Sequence, residues 1–349
     1  MTVSNSVFRF TSFYNPSALE QNESPFRERP LTEEEAFAKM VKNSQKALIE
    51  HKAAEPSAYA SLEDLSFPSA TTPLPEEPLN FTTYSASSIG SKKVMEDVSF
   101  VMPIPNGLVA GVLDGHNGDK VANFASTRFQ EIFPSILEKT QEQVHKALEV
   151  TSGIIQKEIL QNPSMNVIGS PAVFSVFDSI KHQVTTTTIG DSESNIYRKK
   201  EGKTFSIPLS CVRDWSSKKD EARAKAAHSD PRYFFTYNSF HEKVLGWPLN
   251  STDRRLKSDD FRHSTNVSRA FGKSDYAGSC THKGKTTVAA LKKDDIVIVT
   301  SDGLKYHKES DIVNIVEKNT INNLSNALVN YATSHPGSDN VSAIVIHVT

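Results

Sequence analysis

Cysteine is scarce: Cys211 and Cys280 are the only two in 349 residues. That excludes a disulfide scaffold as the source of stability, and a reducing, cytoplasmic setting is expected. Long hydrophobic runs are missing too. No apolar segment approaches the roughly twenty residues a helix needs to cross a bilayer, and Met1 to Pro16 has neither the charged start nor the apolar centre of a signal peptide. Nor does either charge dominate. Lys and Arg total 39 against 41 Asp and Glu, a formal net charge of −2, so there is no electrostatic basis for binding nucleic acid or an anionic membrane. With 37% hydrophobic residues, the chain can bury one large core or two ordinary ones.

Apolar periodicity is weak at the start. Glu55 to Pro78 (EPSAYASLEDLSFPSATTPLPEEP) is dominated by Pro, Ser, Glu and Thr and reads as a linker. Before it, Thr32-Glu-Glu-Glu35 resembles a capping box opening a helix that runs to about His51, with Phe37, Met40, Val41 and Ala47 or Leu48 on one stripe. Residues 1–80 are therefore expected to form a tail with one helix over about 33–51, and residues 81–349 a domain.

Within that domain the short β-like runs are Ser99 to Pro105, Leu108 to Leu113, Val173 to Phe177, Gln183 to Ile189, Asn195 to Tyr197 and Thr204 to Ile207. Helical spacing marks Lys120 to Gln141, Gln143 to Gln161, Glu309 to Glu317 and Ile321 to Thr333. Antiparallel strands interrupted by paired helices imply an α+β layered domain, not a doubly wound parallel one.

Several strands end in the same chemistry. Gly107 to Asp119 reads GLVAGVLDGHNGD, an apolar run stopping on Asp114-Gly115-His116. Asp295 to Thr300 ends on Ser301-Asp302-Gly303, and Val184 to Ile189 ends on Gly190-Asp191-Ser192. Asp339 comes directly before the last apolar run, and Glu96-Asp97 before another. One Asp-Gly is a turn signal. Carboxylates gathered at strand ends repel one another, however, and a divalent cation is the common compensation. A site built from Glu96, Asp97, Asp114, Asp302 and Asp339, without a Cys or His cluster, suits magnesium, manganese or calcium rather than zinc. The acids do not fall at the alternating positions of an EF-hand loop.

Together these residues resemble the metal-dependent serine/threonine phosphatases of the protein phosphatase 2C family. The motifs are Met95-Glu96-Asp97, Gly111-Val-Leu-Asp-Gly-His116, Gly190-Asp191-Ser192, Ser268-Arg-Ala-Phe-Gly272, Ser301-Asp302-Gly303-Leu304 and Asp339-Asn340, in the family's order. The resemblance implies a four-layer α-β-β-α sandwich of two antiparallel sheets flanked by helix pairs, with two Mg2+ or Mn2+ ions at one end. By the same resemblance Asp114 bridges the ions, the Gly115 carbonyl binds one, Asp302 and Asp339 bind the other, and Glu96 and Asp97 contribute directly or through water. A water or hydroxide between the ions then hydrolyses phosphoserine or phosphothreonine in a phosphoprotein substrate, with His116 protonating the leaving group or orienting a ligand. A catalytically weak or inactive binding module on the same fold is the alternative, and a monomer is expected.

The chain also departs from the pattern. Lys92 stands where the family usually has the Arg that grips the phosphate, keeping the charge without the bidentate fork. Lys305-Tyr306 stands where the family continues Trp-Asp, which leaves a third ion at Asp191 in doubt. Lys273 replaces an acid, Pro171 interrupts a small-residue segment, and the region of about 212–265 is an enlarged flap rich in basic and aromatic residues.

Overall fold

The computed structural model describes residues 77–165, 167–215, 217–227, 233–237, 254–258, 264–273, 279–305 and 307–349. The helix expected over 33–51, most of the linker, Tyr306 and much of the 212–265 region lie outside them.

Runs rich in Val, Ile, Thr and Phe pair into two five-stranded sheets. One holds, in spatial order, β1 (Phe81–Ser88), β15 (Val341–Val348), β14 (Ile296–Thr300), β7 (Glu193–Lys200) and β8 (Lys203–Pro208). The other holds β13 (Lys285–Ala290), β6 (Gln183–Ile189), β5 (Ala172–Asp178), β3 (Gly107–Leu113) and β2 (Val98–Ile104). Neighbouring strands within both sheets are antiparallel. Smaller pairings join β4 (Gly169–Ser170) to β12 (Phe271–Gly272), and β9 (Tyr233–Tyr237) and β11 (Ser264–Thr265) to β10 (Arg254–Ser258).

The period-two alternation of β15 sorts its side chains. Ile344, Ile346 and Val348 join Ala110 and Val112 of β3, Val173 and Phe177 of β5, and Val297 and Val299 of β14 in a core between the sheets. Ala343 and Val345 face the other way, onto Ile312 and Val316 of α4 (Glu309–Lys318) and Leu324, Leu328 and Val329 of α5 (Ile321–Thr333). At the second sheet, α1 (Lys120–Lys139) and α2 (Val144–Leu160) pack together. Phe129 of α1 stacks on Phe174 of β5 with centroids 4.3 Å apart and on Phe133 at 4.7 Å. Two buried threonines of β6 satisfy their hydroxyls across strands: Thr186 with Ser175 at 2.8 Å and Thr187 with Thr286 at 2.7 Å.

The α+β class holds, and α5 matches the expected span. Helix α1 stops before the expected Gln141, because Gln141 and Glu142 take φ of 53° and 58°. Strand β7 is longer than Asn195 to Tyr197, its polar ends held by ladders to β8 and β14. Among the described residues no helix is long and apolar enough to cross a membrane.

Candidate metal centre

Antiparallel pairing explains why the acids meet. In the second sheet β3 and β6 run the same way, both antiparallel to β5. Their C-terminal ends, followed by Asp114 and Asp191, therefore lie at one edge, as does the start of β2 after Asp97, since Val98 pairs with Leu113. In the first sheet Thr300 pairs with Ala343, which sets Asp302 after β14 near Asp339 before β15. A hydrogen bond from Ser301 Oγ to Asp97 Oδ2, 2.7 Å, joins the two sheet edges.

Backbone contacts fix the Asp-Gly-His turn. Asp114 N–H donates to the Pro171 carbonyl at 3.0 Å, and His116 and Gly169 exchange backbone bonds of 2.8 and 3.1 Å. Pro171 thus supplies an acceptor to the site. Gly190, which delivers Asp191, has φ of 103°, a region that favours glycine. Gly115 is required for space, because a Cβ there would collide with the Glu96 carbonyl oxygen. Gly115→Ala is expected to cost about 1–3 kcal/mol in denaturant unfolding, as overpacking does; an unchanged midpoint would show that the Glu96 segment yields freely.

Asp114, Asp191 and Asp302 each offer an oxygen within 4.8 Å of the others, and all three are buried. Asp114 Oδ2 and Asp191 Oδ1 have no hydrogen-bond partner. Burial, then repulsion from Asp302 and Asp97, holds Asp114 well above the usual carboxylate range. Burial and then Asp191 and Asp339 push Asp302 up to about 8. An all-oxygen donor set, buried, mutually repelling and with unsatisfied lone pairs, fits a hard divalent cation.

The other expected residues surround this triad. Burial raises Asp97 to about 6 despite hydrogen bonds from Ser301 and Ser342. Glu96 enters through its backbone, its N–H donating to Asn340 Oδ1 at 2.8 Å, while the Asn340 amide donates to the Ile89 and Val94 carbonyls. Asn340 therefore ties the segment carrying Lys92, Glu96 and Asp97 to the start of β15. Lys92 Nζ lies 2.6 Å from Asp339 Oδ1, with about half of each side chain exposed. Burial works against the Lys92 charge, but Asp339, Asp302 and Asp114 outweigh it and hold its pKa above the ordinary value.

His116 Nδ1 lies 3.5 Å from Asp114 Oδ1, a charge contact too long for a strong hydrogen bond. Although 26% of its side chain stays exposed, desolvation and then Lys273 push its pKa down to about 4, so the ring is neutral at pH 7. The Lys273 stem packs on Gly169, and the residue is 2% exposed. The Ser-Arg-Ala-Phe-Gly motif acts from further out: Ser268 and Arg269 bond to Asp220 of α3 (Lys218–Ala227), and Gln156 of α2 clamps both backbone groups of Gly272.

Sequence reading missed the role of two residues. Lys305 Nζ donates to Asp191 Oδ2 at 3.3 Å and lies 3.8 Å from Asp214 Oδ2. Asp214 is placed by a bridge to Val267 and by the Arg213 N–H bond to the Gly190 carbonyl, 2.7 Å. These are long-range contacts with no local signal.

No curated protein matches the sequence significantly. Among solved structures, a sex determining protein of C. elegans superposes with a TM-score of 0.61 at 17% identity, over 76% of this chain and 64% of its own; this chain spans less than two thirds of that protein. A serine-threonine phosphatase 2C from Toxoplasma gondii gives 0.64 at 17% identity, over 79% and 97%. The catalytic domain of the serine threonine protein phosphatase PstP, solved with 2 manganese ions, gives 0.50 at 15% identity, over 78% and 99%. Likeness at these identities concerns the fold. The family model described as Protein phosphatase 2C matches residues 105–341 of the 349, and on that match the chain belongs to the protein phosphatase 2C family.

Proposed function

We propose that residues 81–349 form a metal-dependent phosphatase acting on phosphoserine and phosphothreonine in proteins. The observation that carries this reading is the buried triad of Asp114, Asp191 and Asp302, whose repulsion and unpartnered oxygens have no use without cations. In this reading Asp114, Asp302, Asp339 and the Gly115 carbonyl hold two Mg2+ or Mn2+ ions, with Glu96 and Asp97 contributing directly or through water. Bound there, such ions supply an acidified water and neutralise phosphoryl oxygens. The manganese-bound relative of the same fold supports that choice of ion.

The chain's own groups do the rest. Lys92, half exposed beside Asp339, holds a phosphate oxygen of the substrate. His116 accepts or returns a proton at its ring; neutral at pH 7 in the free chain, it becomes an acid once a phosphate dianion raises its pKa. A hydrogen bond from Ser301 Oγ orients Asp97. From the region of the expected flap, Asp214 reaches the site through Lys305.

A second reading has its own support. Lys92 and Lys305 already pair with acids of the cluster, as suits a binding module that needs no ions. Hydrolysis of p-nitrophenyl phosphate and a phosphothreonine peptide, with Mn2+, with Mg2+ and with chelator, separates the two. Metal-dependent turnover is expected, and Lys92→Ala should raise KM about fivefold, the order of a half-exposed ion pair worth up to about 1 kcal/mol, with a smaller fall in kcat. Folded protein without turnover would favour the binding module, and an unchanged KM would release Lys92 from the phosphate.

A further inference from the structure

Lys305 is not a surface lysine that happens to touch an acid. Its side chain is 9% exposed, and its two carboxylate neighbours, Asp191 and Asp214, are 0% and 6% exposed. Its position is fixed from the backbone: Lys305 N–H donates to the Asp302 carbonyl at 2.8 Å, closing the turn Asp302–Leu304. The ammonium thus reaches Asp191 from the same turn that presents Asp302. Asp191 is shared, with Oδ2 accepting from Lys305 and Oδ1 left without a partner, while one oxygen of the residue lies within 4.8 Å of ligand oxygens of Asp114 and Asp302.

We propose that Lys305 is a built-in cation which occupies the Asp191–Asp214 side of the cluster and thereby limits how many divalent ions the protein holds. The inference rests on the metal-dependent reading above and adds what sets its stoichiometry. The physical basis is competition for the same lone pairs. Two buried carboxylates need positive charge nearby, a covalently attached ammonium supplies it at high local concentration, and a divalent ion entering there would have to displace it. On the Asp114–Asp302 side the nearest ammonium is that of Lys92, which pairs with Asp339 at 2.6 Å but is half exposed, so an entering ion displaces it into water far more easily than it displaces the buried Lys305. The chain is then divided into a lysine-neutralised half and an ion-binding half.

The test is Mn2+ stoichiometry by equilibrium dialysis with elemental analysis, alongside thermal unfolding with and without Mn2+. It uses the full-length wild type, Lys305→Met, Lys305→Arg and the double variant Lys305→Met/Asp191→Asn. Lys305→Met is expected to bind one Mn2+ more per chain than the wild type, to unfold at lower temperature without metal, and to gain more from added Mn2+. Lys305→Arg should keep the wild-type stoichiometry, and the double variant should lose the additional ion. If Lys305→Met folds only with Mn2+, the proposal stands, because the ion has replaced the ammonium. The same ion count and Mn2+ response as the wild type would overturn it, as would a Lys305→Met protein that no Mn2+ concentration can fold. Wild type binding no Mn2+ would instead defeat the metal-dependent reading, a result separate from the comparison between variants.

Discussion

Asp302→Asn is expected to move two measurements in opposite directions: the metal-free protein becomes more stable, while Mn2+-dependent hydrolysis and stabilisation by Mn2+ disappear. Asp302 is 8% exposed, and burial with the Asp191 and Asp339 fields pushes its pKa to about 8. At pH 7 the folded chain therefore holds a proton that the unfolded chain releases at once. An isosteric amide removes that unequal titration, a gain on the order of a few kcal/mol. Catalysis moves the other way because an amide oxygen is a poorer ligand than a carboxylate. Losing even a partner that orients a ligand costs about 10- to 100-fold, so losing a ligand should lower kcat by at least about a hundredfold. Thermal unfolding with and without Mn2+, paired with a phosphatase assay, reads both effects. Wild-type turnover in the variant would remove Asp302 from the site. A lowered metal-free midpoint would show that the Asp302 charge is already compensated.

The opposition of these effects explains why so much of the centre was legible in the sequence. Asp-Gly at the end of an apolar run is a local signal, and β3 and β14 bear out the runs that lead to Asp114 and Asp302. Antiparallel pairing alone then brings the ends together. Elements supported by little burial were harder to see. Strands β1 and β13 lie at sheet edges and read FTTYSASS and KTTVAA, with few of the apolar alternations that mark a buried face. Helix α3, KKDEARAKAA, is polar nearly throughout. It is held by the Asp220–Arg223 pair within the helix and, from far along the chain, by Arg269 on Asp220 and Leu256 packing with Ala224 and Trp215; the distant partners lie outside any short window.

The same distinction applies inside the site. Lys305 was visible as a departure from a family pattern, which suggested that Asp191 would lack a partner carboxylate for a third ion. What the sequence did not show is that the replacing side chain itself reaches Asp191, together with Asp214. The support of Asp97 by Ser301 and the anchoring of the Glu96 segment by Asn340 join residues more than 200 positions apart. Such contacts are products of topology, so they appear only once both sheets are assembled.

The second large effect expected is that metal-free stability falls as pH rises from about 6.5 to 8, and that saturating Mn2+ removes the fall. For Asp302, raised to about 8, and Asp114, raised well above its ordinary range, the folded state binds protons that the unfolded state has already released near pH 4. Stability changes with pH in proportion to protons bound unfolded minus protons bound folded. That difference is negative in this window, and each retained proton contributes a slope of about −1.4 kcal/mol per pH unit. Below about 6.5 the picture is mixed. His116 and His282, lowered to about 4 by burial first, take up protons only on unfolding, which makes stability rise with pH and offsets Asp97, raised to about 6. Because the unfolded histidines are still half protonated at about pH 6.5 and finish titrating by about pH 7.5, the fall is expected to be steepest in the upper part of the interval from about 6.5 to 8. Bound Mn2+ selects ionised carboxylates, so the holo protein should be flat or rising where the metal-free protein declines. Unfolding midpoints at pH 6.5, 7.25 and 8, with chelator and with Mn2+, measure this directly. A flat metal-free profile would mean that Lys92 and Lys305 already keep the acids ionised, which would count against a centre built for divalent cations and strengthen the binding-module reading.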